Sequence, residues 1–205
     1  MAVKIKQRSK LTKEQLAASV ILAGASALRM MRAERRQMGY IGWKDLEPEE
    51  ERRVLRTSSP SAEDIYLPDL VRIGAKSGEV QEDLCLLVGS AAQRRRMPGV
   101  SWSVCSAGLP AGSILEVEPG VYSLSPEALC VAVAREVGCI QAFALAQELC
   151  SKISLSDRGK FLPPYSSPVA NKLAKDKDQP PDVGYFEVEP VLTPEQLADY
   201  LAVCK

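Results

Sequence analysis

Histidine is absent from all 205 residues. That excludes Ser-His-Asp and Cys-His catalysis, imidazole general-base chemistry and every metal site that needs an imidazole ligand. No two of the six cysteines (Cys85, Cys105, Cys130, Cys139, Cys150 and Cys204) stand as CxxC, which removes zinc-ribbon and thioredoxin-like readings. The glycines form neither a GxGxxG nor a P-loop, so no phosphate cradle of either kind is present. No run reaches the ~20 apolar residues of a membrane span. Net charge is also missing: 26 basic and 26 acidic residues cancel, so bulk electrostatics points to neither nucleic acid nor an acidic partner.

What remains is ordinary. Apolar residues make up 46% and charged residues 25%, the balance of a soluble globular protein, and the length suits one generous domain or two small ones. Most of the cysteines sit in apolar runs such as Leu84-Cys85-Leu86-Leu87 and Leu129-Cys130-Val131, where a free thiol behaves as a small hydrophobe. Buried, reduced thiols in a cytoplasmic protein are expected. A cysteine nucleophile would have to take a carboxylate or lysine as its base. The basic start followed by apolar residues 16–28 has the outline of a secretory signal. Its Ala, Ser and Gly content, Glu14-Gln15 at its mouth, and its continuation into Met31 and several arginines favour a helix instead.

Charge is segregated along the chain. Residues 1–40 carry nine Lys/Arg against two acids, 41–83 six against eleven, and 84–110 three arginines and no acid. A basic N-terminal module followed by an acidic segment invites either nucleic acid or an internal partner. Three regions are expected: a helical basic/acidic region at 1–82, a small sheet with a helical hairpin at 83–156, and a linker with a C-terminal helix at 157–205.

The first helix is signposted by Thr12 as N-cap with Gln15 completing a capping box. Leu16, Val20, Ala23, Ala27 and Met31 follow at helical spacing, and Gly39 is the stop. A second, acidic helix is predicted over Pro48 to Arg56, broken by Thr57-Ser58-Ser59-Pro60-Ser61, and a third over 62–73. Four short strands follow: Leu84–Val88, Val100–Cys105, Ile114–Glu118 and Val121–Leu124, the last two joined by a Pro119-Gly120 turn. Ser125-Pro126-Glu127 opens a helix to Val137, with Leu129, Val133 and Val137 on one face. A second helix over 140–153 completes an αα-hairpin. Residues 157–184 read as a loop, 185–188 as a strand, and Thr193-Pro194-Glu195-Gln196 as the capped start of a last helix. The expectation is an α+β fold with a small antiparallel sheet. That last helix reads like the lead into a further element, as in a truncated or split product.

Five pieces in order carry a resemblance. They are Leu86-Leu87-Val88-Gly89-Ser90 with Arg94-Arg95-Arg96; Leu109-Pro110-Ala111-Gly112 with Ile114-Leu115-Glu116-Val117; Gly120-Val121-Tyr122; Ser125-Pro126-Glu127; and Gln147-Glu148-Leu149-Cys150. Over about residues 84–152 the chain resembles prokaryotic AbiEi-type antitoxin proteins and their relatives fused to a restriction-like nuclease domain. The resemblance implies a non-enzymatic regulator that binds double-stranded DNA, represses its own operon and opposes a cognate toxin. It also allows an N-terminal interaction region without its catalytic domain, inactive alone. The chain departs from the pattern in two ways: residues 1–83 hold no clean winged helix-turn-helix, and no lysine follows Glu116-Val117-Glu118 or Glu187-Val188-Glu189 at the spacing a nuclease metal site needs. No cofactor is implied.

The candidate nucleic-acid contacts are therefore arginines and lysines. Arg94, Arg95 and Arg96 follow a strand in a loop and could grip phosphates, or pair with the acids at 45–51. Arg29, Arg32 and Arg36 share a helix face, which serves equally as a solvated stripe. Lys10 and Lys13 belong to the basic N-terminal arm. Trp43 and Trp102 sit in no stacking motif and are expected at a core edge.

Overall fold

The structure is a computed structural model that describes residues 19–61, 84–106, 108–151 and 188–204, apart from the side chains of Arg36 and Gln37. The Thr12 cap, Lys10, Lys13, the helix expected at 62–73, the 157–184 linker and residues 185–187 lie outside the described residues. The elements are β1 (Val20–Leu22), α1 (Gly24–Met38), β2 (Lys44–Asp45), α2 (Pro48–Thr57), β3 (Leu84–Val88) and a 3-10 turn (Ala91–Gln93). Then come β4 (Val100–Val104), β5 (Ile114–Glu118), β6 (Val121–Leu124), α3 (Pro126–Glu136), α4 (Cys139–Leu149) and α5 (Pro194–Val203).

The α+β class holds, but the sheet is larger than expected and mixed. Its order is β2-β5-β6-β1-β3-β4. β1 runs parallel to β6 and β3 parallel to β4, while the β1–β3, β5–β6 and β2–β5 pairs are antiparallel. The helical reading of residues 20–22 fails: they form β1. Val20, Ile21 and Leu22 are all buried, because a central strand is covered on both faces and reads as a continuous apolar run rather than an alternating one. Burying such side chains is worth about 1.5–3 kcal/mol each, more than the weak helical preference of three residues. The chain turns into α1 at Gly24, whose φ of 47° is a conformation only glycine adopts cheaply. Gly39 then ends α1 in the left-handed region, its N–H donating to Arg35 O at 2.8 Å.

The other local signals translate directly. Pro48 opens α2 with Glu49, Glu50 and Glu51 in its first turn, where acids oppose the helix dipole. Ser125 Oγ accepts from Ala128 N–H at the start of α3, and Thr193 and Gln196 close a full capping box on α5. Leu129 and Val133 are buried as expected; Val137 is not, and stands 52% exposed at the α3–α4 turn. α3 packs against α1, α4, α5 and β6, so the helical hairpin and C-terminal helix close over one side of the core. Trp43 and Trp102 both pack at the core edge, half-buried. The thiols are free, but only Cys130 is buried; Cys139 is exposed and the other four are intermediate. Burial pushes the Cys130 thiol up to about 12.

Two buried carboxylates tie distant segments together. Glu51 Oε1 and Oε2 accept from Ile114 N–H at 2.7 Å and Gly112 N–H at 3.0 Å, so α2 fixes the start of β5. Glu148 accepts both Arg32 Nε at 2.9 Å and Arg32 Nη2 at 2.6 Å. Beside it the guanidinium of Arg35, fully buried, donates to the carbonyls of Glu148, Ser151 and Glu189. Burial holds that guanidinium below its ordinary pKa while the Glu148 carboxylate opposes the shift. Residues 188–192 are thus pinned across the ends of α1 and α4. Glu189 N–H donates to Gly39 O and Val191 N–H to Leu149 O.

Candidate nucleic-acid interface

β3 and β4 run parallel, and the loops leaving their C-terminal ends face the C-terminal half of α2. Gly89, at the end of β3, allows this approach. A Cβ there would stand 3.0 Å from Leu55 O and 3.1 Å from Leu55 Cγ, tighter than packed atoms tolerate. Ser58 Oγ donates to Leu87 O at 2.9 Å, tying the end of α2 to the same strand.

The 3-10 turn after β3 carries Gln93, which locks the junction. Its Nε2 lies 3.0, 2.9 and 3.0 Å from the carbonyl oxygens of Leu55, Arg56 and Ser58, which share its two N–H donors. These are carbonyls at the C-terminal end of α2, which a helix leaves without internal partners. Ser59 Oγ donates to Gln93 O, and Ser90 Oγ to Gln93 Oε1. Two residues further on, Arg95 Nε donates to Ser59 Oγ at 3.4 Å.

The consequence is electrostatic. Arg94, Arg95 and Arg96 are exposed and lie beside the end of α2, which presents Arg52, Arg53 and Arg56, also exposed. None of Arg94, Arg95 and Arg96 forms an ion pair with a described residue; the acids at 45–51 do not take them. Among the described residues Arg53 alone of the six forms an ion pair, to Glu50 at 2.9 Å, which is largely exposed and therefore weak. An open cleft of about 1110 Å³ lies alongside, lined by Arg52, Arg53, Arg56, Gln93, Ser90 and Ser106 among others, with Glu47, Glu49 and Glu50 at its acidic end. Several guanidiniums held on a fixed backbone junction are suited to bidentate contact with phosphate oxygens.

The remaining expected contacts fall elsewhere. Arg29 folds back along α1, its Nε on Ala25 O and Nη2 on Ser26 Oγ. Arg32 is engaged with Glu148, and its side chain is only 12% exposed. Sequence reasoning passed over Arg52, Arg53 and Arg56 because the acids before them dominate the segment. Their i, i+1, i+4 spacing at a helix C-terminus was the available signal. Arg35 was overlooked for the opposite reason, since one arginine among four carries no mark of burial. Among the described residues no group of three or more His, Cys, Asp or Glu side chains could hold a metal ion, and no helix is long and apolar enough to cross a membrane. No family model, curated protein or solved structure matches the chain.

Proposed function

We propose that this protein is a non-enzymatic DNA-binding regulator of antitoxin-like type, and that it holds the phosphate backbone through Arg94, Arg95 and Arg96 together with Arg52 and Arg56. The observation that supports the reading is the Gln93 junction, which ties the turn preceding the exposed Arg94, Arg95 and Arg96 to the C-terminal end of α2, where Arg56 is also exposed. Phosphate contacts of this kind position a protein without reading sequence, so operator preference would come from other residues. The resemblance over residues 84–152 supplies the antitoxin-like part of the proposal.

The test is binding of the full chain to its own upstream DNA and to random duplex across a salt series. Affinity should fall steeply with salt, and each phosphate contact removed by Arg94→Ala, Arg95→Ala or Arg96→Ala should lower the log–log slope by about 0.9. No binding even at low salt overturns the reading. A second reading, a partner-binding region inactive alone, is favoured by one feature. Ile140 and Phe143 on α4 are 74% and 65% exposed beside Val137, an apolar face where a solvated helix would carry polar residues. Under that reading DNA affinity is absent, and Ile140→Asp with Phe143→Asp abolishes association with the protein encoded beside it.

A further inference from the structure

β4 ends the sheet, and no described strand pairs with its outer edge. Leu84 N–H donates to Gly99 O at 2.8 Å and Cys105 N–H to Val88 O at 2.9 Å, so the odd-numbered residues of β4 turn their backbone groups toward β3. Backbone direction alternates along a strand. The N–H and C=O groups of Val100, Trp102 and Val104 therefore face the open edge. Natural sheets blunt such an edge with charge, proline or a bulge; Val100-Ser101-Trp102-Ser103-Val104 has no charge and no proline, and its pairing with β3 runs in unbroken register.

The strand also reads identically in both directions. Antiparallel pairing about a two-fold axis at Trp102 sets Val100 against Val104 of a second copy, Ser101 against Ser103, and Trp102 against itself. Each residue meets its own kind, no like charges oppose, and every outward backbone group of Val100, Trp102 and Val104 finds a partner. Self-complementarity of this sort is what an isologous interface requires. Cross-strand aromatic and hydroxyl pairs add to the ladder, and Val104, 39% exposed, gains cover.

We infer that β4 is a self-pairing edge through which two copies of this chain join antiparallel, continuing one sheet across both. The inference is independent of the nucleic-acid reading. One five-residue strand buries less than the ~1,200 Å² of a stable interface, so the dimer forms and dissociates with concentration.

Sedimentation equilibrium of the full chain, from micromolar to near-millimolar concentration, tests it. The average mass should rise from the monomer value toward twice that value. Val104→Pro removes an outward donor and no bond to β3; it should weaken association more than tenfold without moving the thermal unfolding midpoint. Ser101→Lys with Ser103→Lys sets like charges opposite at both serine pairs and should do the same. Ser101→Glu with Ser103→Lys sets opposite charges there and should restore association. A mass that stays monomeric throughout overturns the inference, and so does an association that both Val104→Pro and the double-lysine variant leave unchanged.

Discussion

The arginines of α1 and those after β3 look alike in sequence: short basic runs, free of aromatics, beside apolar segments. In the folded chain they part. Arg32 and Arg35 point inward, against Glu148 and against the carbonyls that end α4, and belong to the scaffold. Arg94, Arg95 and Arg96 stay in water, on a backbone clamped from beneath by Gln93. A buried guanidinium is tolerable only where acceptors surround it. An exposed one is inexpensive anywhere and therefore available to a ligand. Local sequence does not separate the two cases, because the acceptors come from residues more than a hundred positions away.

The largest effect should follow from breaking the buried side. Glu148→Ala leaves Arg32 without its carboxylate and should destabilise the chain by about 3–5 kcal/mol, read by chemical denaturation. Replacing both partners, Arg32→Met with Glu148→Met, should recover part of that loss, since Arg32 is no longer left without its carboxylate, while the buried Arg35 still loses the counter-charge of Glu148. Equal losses from the single and double variants would show that the ion pair is not what matters there. Glu51→Ala asks the same of a carboxylate that serves backbone amides instead of arginine. It should cost about 2–3 kcal/mol, because the buried N–H of Ile114 and that of Gly112, at the entry to β5, lose a charged acceptor.

Alkaline pH probes two further buried groups. Burial raises Cys130 from 9.0 to about 12 and Tyr200, whose hydroxyl lies 2.6 Å from Ser113 Oγ, from 10.0 to about 12. A folded-state pKa above the unfolded value means that the unfolded chain releases its proton first. Stability should hold up to about pH 9 and fall as pH climbs toward 12. Cys130→Ala and Tyr200→Phe should each flatten that fall in thermal melts. The smallest effect on stability belongs to the exposed side. The triple change of Arg94, Arg95 and Arg96 to Ala should alter folding by no more than about 0.5 kcal/mol while, under the proposed function, removing most of the salt-dependent DNA affinity. A large loss of stability in that variant would mean the two arginine sets are not as different as their burial indicates.

The local grammar of the chain was legible wherever neighbours in sequence decide the outcome. Pro48 with its acids, Ser125-Pro126-Glu127, the Thr193–Gln196 box and the stop at Gly39 all act within one helical turn, through orphan backbone groups that a nearby side chain satisfies or a nearby glycine relieves. Four of the strands announced themselves by apolar runs and turn residues. β1 did not, because a central strand three residues long shares its pattern with a helix. The site was half legible. Arg94, Arg95 and Arg96 stood out as a cluster, but Arg52, Arg53 and Arg56 became their neighbours only through the packing of α2 on β3.

The sequence by itself therefore determined where α2, α3 and α5 begin and where α1 ends, which segments after residue 83 form strands, and which chemistries the absence of histidine excludes. Each rests on interactions of short range along the chain. Only the tertiary structure decided the order and direction of the strands, the burial of Arg35 and exposure of Arg95, and the partners of Glu51 and Glu148. Those depend on which distant backbone groups and side chains arrive together once the core has closed, and no pattern of neighbouring residues encodes that arrival.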